Sequence, residues 1–369
     1  MENTIAQVGL GRIAATHRKG YRQQGLTIIA GIDPSPEART RFQQDVPDAA
    51  VFASLEELLR SPLRPTVLDV ATPHHRAARL PIVEAAAQAG LPLLLQKPVG
   101  LCYADALETA NILADSQTPA MVNQNMAFTP GAQWLYNELL TKKTIGAPFF
   151  AQMELRTDFA CDPANWFGKD PRWWTVDHTV HHLSVLHMIF GPPASVDALT
   201  GRDPSQTGVS HDGFGHLLMR YASGVQVMVL STGCYYGTRP VGYRDKCLYI
   251  QGTQGIIDWA PEGEVAISRR GPEWSAPSQQ KTITVEGRWF YDAFGQTMQH
   301  LLAALAAGQP PKSAIEDNLY VMAVIEAAYR SAADRRPVTL PEIMGERFDP
   351  EYGPGFFHGF QPPPITPQS

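Results

Sequence analysis

The chain has 369 residues, 44% hydrophobic and 18% charged, which suits a folded protein of two domains and excludes an extended or low-complexity chain. Its net charge is −6 with a pI near 6.0, and Lys and Arg are scattered, so the basic stripe that a nucleic-acid backbone requires is missing. The start, MENTIAQVGL, has no basic leader followed by an apolar run, and no later run approaches bilayer length; a cytoplasmic protein is expected, with neither nucleic acid nor membrane as partner.

From Thr4 to about residue 125, short apolar runs alternate with longer helical stretches, the pattern of βαβ units in a parallel sheet. TIAQV, LTIIAGI, TVLDVA and LPLLL read as strands buried on both faces. TIAQV runs directly into GLGRIA, where Gly9 allows a tight turn, Gly11 lets backbone approach a pyrophosphate and Ala14 permits close packing of helix on strand. Arg12 and Ile13 complete the loop, whose amides at the helix start would hold the phosphates. The next strand ends at Asp33, about 20 residues past the loop, where a carboxylate accepts from ribose hydroxyls. That carboxylate repels a 2′-phosphate and favours NAD; Arg12 and Arg39 keep NADP open. LPLLL leads into Gln96, Lys97 and Pro98 at the carboxyl edge of the sheet, so Lys97 is expected to face a nicotinamide. Ser54 and Glu57 form a capping box for a helix through Leu59.

Beyond residue 126 the texture changes to Trp-, Pro- and Gly-rich loops with partly alternating strands, PFFAQMELR, GHLLMRYA and VQVMVLST, as in a mostly antiparallel sheet of an α+β domain. YASGVQ suits a hairpin. WWTVDHTVHHLSVLHMIFG reads as one helix with Asp177, His181 and Ser184 at i, i+4 and i+7 on one face. An imidazole suits removal of a carbinol proton, with Asp177 to orient it and Lys97 to stabilise the alkoxide. His178 and His182 have metal-ligand spacing, but neither the glutamate nor a third ligand of a zinc motif accompanies them, and no metal is expected. Trp166, Trp173 and Trp174 either pack on a sugar face or belong to the core. A helix from Ile315 to Ala333 stops at Arg335, Arg336 and Pro337, and a Pro- and Gly-rich tail, partly extended, follows residue 341. Cys102, Cys161, Cys234 and Cys247 lie far apart and read as reduced, mostly buried thiols.

Taken in order, GLGRIA, Asp33, ATP at 71–73, QKP at 96–98, NQNMAFTP at 123–130, DHTVH at 177–181 and EDNLYVMAVIEAAYRSA resemble the glucose-fructose oxidoreductase, inositol dehydrogenase and MocA (Gfo/Idh/MocA) family to about residue 340. The resemblance implies a Rossmann domain (1–125), a substrate-binding and oligomerisation domain with an open-faced sheet (126–340) and a tail (341–369). It implies NAD or NADP on Thr72, Pro73, Gln96 and Gln124 besides the glycine loop, and a sugar, sugar acid or cyclitol near Arg156, Trp174 and His178. Catalysis would fall to Lys97, Asp177 and His181, in a homodimer or homotetramer, with a cis Lys97–Pro98 bond. Three positions depart from the family pattern: Gln96 for its glutamate, Ala127 for a frequent arginine, and Ser184 for a frequent acid. Two other activities stay open: glycoside cleavage through transient oxidation with recycled NAD, and a non-catalytic dinucleotide sensor.

Overall fold

The computed structural model describes residues 3–352 except 160, 165, 236, 238–247, 261–263, 271–276, 286–288 and 290. In chain order the first elements are β1 (Thr4–Val8), α1 (Arg12–Gln23), β2 (Thr27–Ile32), α2 (Pro36–Asp45), β3 (Ala50–Phe52), α3 (Leu55–Arg60), β4 (Val67–Val70), α4 (Arg76–Gln88), β5 (Leu93–Gln96), α5 (Tyr103–Asp115) and β6 (Ala120–Asn123). There follow α6 (Pro130–Tyr136), β7 (Pro148–Arg156), α7 (Trp166–Lys169), α8 (Val180–Phe190), β8 (Ser195–Gly201), β9 (Phe214–Arg220) and β10 (Gln226–Thr232). The chain continues through β11 (Leu248–Gly252), β12 (Gly255–Ala260), β13 (Glu264–Arg270), β14 (Pro277–Thr284), α9 (Asp292–Ala307), α10 (Ile315–Asp334), β15 (Val338–Thr339) and α11 (Pro341–Met344).

Contacts divide the chain into two units, residues 1–128 with 290–319, and residues 129–289 with the chain from 320 on. The sequence reading leaves 290–319 in the second domain. Those residues instead pack with the first unit, because α9 lies along α1 at a pair of glycines. A Cβ on Gly20 would stand 2.2 Å from the Tyr291 carbonyl oxygen and 2.8 Å from the Gly295 nitrogen.

The first unit holds a parallel sheet in the order β3-β2-β1-β4-β5-β6. The order reverses between β1 and β4, the place where open α/β sheets bind ligands beyond their carboxyl ends. Its central strands are apolar throughout because both faces are covered, and Ile5, Val67, Leu68, Leu93, Leu94 and Leu95 have no exposed surface. β1, β4, β5 and the edge strand β6 each carry one buried polar exception, Gln7, Asp69, Gln96 and Asn123. Gln7 is in register with Asp69, and Gln96 with Asn123.

The second unit holds a nine-stranded sheet, β14-β13-β12-β11-β7-β10-β9-β8-β15, antiparallel except for the β7–β10 pair. The β9–β10 hairpin closes over Gly224, with φ of 87°. Burial alternates along the strands, so Ala151, Met153, Leu155, Val227 and Val229 are covered while Phe150, Leu218, Met228 and Leu230 on the other face are only partly so. The expected single helix after Trp173 is in two parts, a π turn over Thr175–Thr179 and then α8. Cys102, Cys161 and Cys234 are free but half-buried rather than buried, and Cys247 lies outside the described residues. The expected tail starts as helix α11 and a 3-10 turn, Gly345–Arg347; residues 353–369 lie outside the described residues. No helix among the described residues is long and apolar enough to cross a membrane.

Candidate active site

In the first unit β1 ends in a turn that only glycine fits. Gly9 has φ of +84°, its N–H donates to the Ile32 carbonyl, and a Cβ there would lie 2.9 Å from the Ala71 and Thr72 backbone. Gly11 stands before α1 with open space where a Cβ would be, and no side chain caps the helix start. Arg12 is exposed, Ile13 half-buried and Ala14 fully buried, so one side of the loop faces solvent and the other packs on the sheet. Asp33 braces this loop: one carboxylate oxygen accepts from Leu10 N–H at 2.8 Å, the other from Ser35 N–H at 2.9 Å. Arg39 donates to the Asp33 and Pro34 carbonyls. A dinucleotide fits these residues: uncapped amides and an open Gly11 suit a pyrophosphate, and the buried Thr72 Oγ1 and Gln124 Oε1 have no hydrogen-bond partner among the described residues. Pro73 is exposed beside Thr72, and the Gln124 amide donates to Asn318 Oδ1 at 2.9 Å.

At the end of β5, Lys97 is 9% exposed and the Lys97–Pro98 bond is cis, as expected. Gln96 is occupied from both ends of its amide, accepting from Lys97 N–H at 2.8 Å and facing the His17 ring at 3.2 Å. Its side chain therefore supports the loop from beneath. Arg79 on α4, which sequence reasoning missed, is 2% exposed. Its guanidinium donates to the carbonyls of Gln96 (2.7 Å), Pro98, Val99 (3.4 Å) and Thr72 (2.9 Å), and to His74 Nδ1. One buried cation thus ties the loop after β4 to the loop after β5.

In the second unit the π turn brings Asp177 to His178, with Oδ2 and Nδ1 3.3 Å apart. The His178 ring stacks on Trp174 at 4.2 Å, and Trp173 packs edge-on at 4.8 Å. Trp174 has no exposed surface and donates to Ser231 Oγ, so its ring is core rather than the direct substrate contact expected of it. Trp173 is also core, and the Trp166 side chain lies outside the described residues. His181 is partly exposed, edge-on to Trp289 at 5.2 Å, and Ser184 Oγ donates to its carbonyl. His182 points inward, where burial and the neighbouring His178 push its pKa down to about 3, which makes it a neutral core residue. Arg156, at the end of β7, pairs with Glu154 at 2.6 Å and lies over the Tyr235 ring.

The start of this helix has no local cap, since Pro171, Arg172 and Trp173 offer no acceptor. The acceptor is Asp212, 4% exposed, which takes the amides of Trp173, Trp174 and Thr175, the Thr175 hydroxyl and the Tyr329 hydroxyl. The missing cap was the one sequence signal that an acid from elsewhere must arrive.

Residues 4–124 match the family model described as "Oxidoreductase family, NAD-binding Rossmann fold", and residues 138–340 that described as "Oxidoreductase family, C-terminal alpha/beta domain". A D-apiose dehydrogenase of Paraburkholderia graminis is 26% identical over 357 residues, 92% of this chain and 90% of the relative. A myo-inositol 2-dehydrogenase of Thermotoga maritima is 21% identical over 92% of this chain and 99% of its own. An oxidoreductase of Agrobacterium radiobacter solved with NAD+, L-tartaric acid and magnesium superposes with a TM-score of 0.80 at 22% identity, covering 93% of this chain and 100% of that one. The two matched regions together span most of the chain, which belongs to the Gfo/Idh/MocA family of NAD-binding oxidoreductases.

Proposed function

We propose that this chain is a dehydrogenase that oxidises a carbinol of a small sugar, sugar acid or cyclitol, or reduces the matching carbonyl, with NAD preferred over NADP. The observation that carries this reading is the near full-length likeness to proteins named D-apiose and myo-inositol dehydrogenases. Asp33 supports the NAD preference, because its carboxylate, held by the Leu10 N–H, would repel a 2′-phosphate on a ribose bound beside it. The nicotinamide, when bound, supplies the hydride acceptor. His181 takes the hydroxyl proton, Lys97 stabilises the charge that develops on the oxygen, and Asp177, paired to His178, sets the charge around the imidazoles. Arg156 and His178 hold hydroxyls of the substrate.

The test is a panel of aldoses, sugar acids and cyclitols with NAD+, read as NADH formed. Net NADH with at least one of them is expected; products formed without NADH would point instead to internal recycling. His181→Ala and Lys97→Ala should each lower kcat by about 10²- to 10⁴-fold with NADH still bound. Near-full activity with an intact neutral pH limb in His181→Ala would pass the proton role to His178.

We also propose a homo-oligomer, dimer or tetramer, formed by a second copy on the open face of the nine-stranded sheet. Phe150, Leu218, Met228 and Leu230 place apolar side chains on that face among polar ones such as Gln152, Glu154, His216 and Thr232, and Leu199 on β8 is 69% exposed.

A further inference from the structure

Beneath Lys97 lies a buried polar relay that the chemistry above does not use. Gln96 Oε1 accepts from the Lys97 N–H at 2.8 Å. A backbone N–H only donates, so the Gln96 amide has one possible orientation, and its Nε2 is the end 3.2 Å from His17 Nε2. Asn123 Nδ2 lies 3.3 Å from the same ring nitrogen. On the far side of the ring, Nδ1 is 3.0 Å from both oxygens of Asp69, which, ionised, only accept. The two sides demand the same tautomer: hydrogen on Nδ1, a lone pair on Nε2.

The surroundings agree. His17 and Asp69 have no exposed surface. From β1, Gln7 donates to Asp69 at 2.8 Å; from α9, the Phe294 ring covers His17 at 4.6 Å. On α1 itself, Arg18 turns its charge to Gln7 Oε1 and Asp45, and burial beside Asp69 keeps the Tyr21 hydroxyl protonated. Arg79 holds the Gln96 carbonyl from α4.

We propose that His17 is a positioning residue for Lys97: as a neutral Nδ1–H imidazole anchored on Asp69, it holds the Gln96 amide in the one orientation that fastens the Lys97 backbone. Glutamine is required at 96 because the position must accept on one side and donate on the other without charge. Glutamate has the same length, but its second oxygen would meet the Nε2 lone pair, and the repulsion would be relieved only by a second proton on His17. A glutamate there would tie the seat of Lys97 to pH; glutamine removes that dependence. The proposal rests on the reading that Lys97 acts on the substrate.

The test uses the full chain labelled with 15N-histidine at pH 7.5, with His17 assigned by the signal missing in His17→Gln. In the wild type Nδ1 should be protonated and Nε2 bare; in Gln96→Glu both should be protonated. An Nε2–H tautomer in the wild type, or an unchanged His17 in Gln96→Glu, overturns the proposal without any substrate, and so separately from the assignment of function. With a sugar that turns over, Gln96→Glu should lower kcat about 10- to 100-fold, increasingly as pH rises, with the NADH Kd within about threefold of wild type. Gln96→Glu with His17→Gln restores a donor opposite the carboxylate and should return the wild-type pH profile. A Gln96→Glu profile superimposable on the wild type would also overturn the relay.

Discussion

The donors of Arg79 face carbonyls from two loops, so its removal is felt in both. Arg79→Met would leave the Thr72, Gln96 and Pro98 carbonyls buried with a donor missing, at a cost of about 3 kcal/mol or more, since each buried unsatisfied acceptor costs roughly 1 to 3 kcal/mol. Urea denaturation should show that loss, and NADH titration a weaker Kd; a variant with unchanged Kd would mean the loops keep their shape without the cation. Asp212 predicts the opposite division of effects. Asp212→Asn keeps one accepting oxygen for a cluster of five donors, so turnover should fall while NADH binding, which depends on residues of the first unit, stays within about twofold. Equal loss of both would show general unfolding instead. These two residues also mark where the sequence stops being readable. Gly9, Asp33 and the Lys97–Pro98 bond are local features, set by a turn, a strand end and a neighbouring proline. Arg79 reaches up to 20 positions along the chain, His17 up to 106 and Asp212 up to 117, and no spacing rule says which buried polar group will face which.

At the level of elements, strand and helix periodicities were legible because burial writes them directly: apolar runs for strands covered on both sides, alternation for the sheet with one open face. The π turn was not, because one extra residue in a turn leaves the apolar pattern almost unchanged. Asp177 lies inside that turn, 3.3 Å from His178, where the sequence pattern reads as regular α-helix. The same helix predicts an acid-labile unit. Burial pushes His182 down to about 3 and His187 to about 4. Both folded values lie below the unfolded value near 6.5, so the unfolded state binds more protons between them, and stability is full above about pH 6.5 and falls as pH drops towards 4. The slope should approach roughly 1.4 kcal/mol per pH unit for each histidine. Denaturant midpoints at pH 7.5 and 5.0 should show the drop, and His187→Gln should lessen it; equal midpoints would mean that these rings are charged, or reached by water, in the native protein.

On the scale of the whole molecule, the open sheet face gives the assembly prediction. Placing a carboxylate there, as in Leu230→Glu, should shift the mass measured by light scattering towards the monomer while NADH binding persists. A monomeric wild type would end the idea. The other whole-molecule feature is the return of 290–319 to the first unit, where α9 lies against α1. A ribosome makes β1 to β6 early, yet the helix that meets Gly20 comes only after residues 129–289 have been synthesised. The nascent Rossmann sheet therefore waits with one flank of α1 bare while residues 129–289 are being translated, and the second unit in turn waits for the chain from 320 on, so neither unit is complete until the other has been largely made.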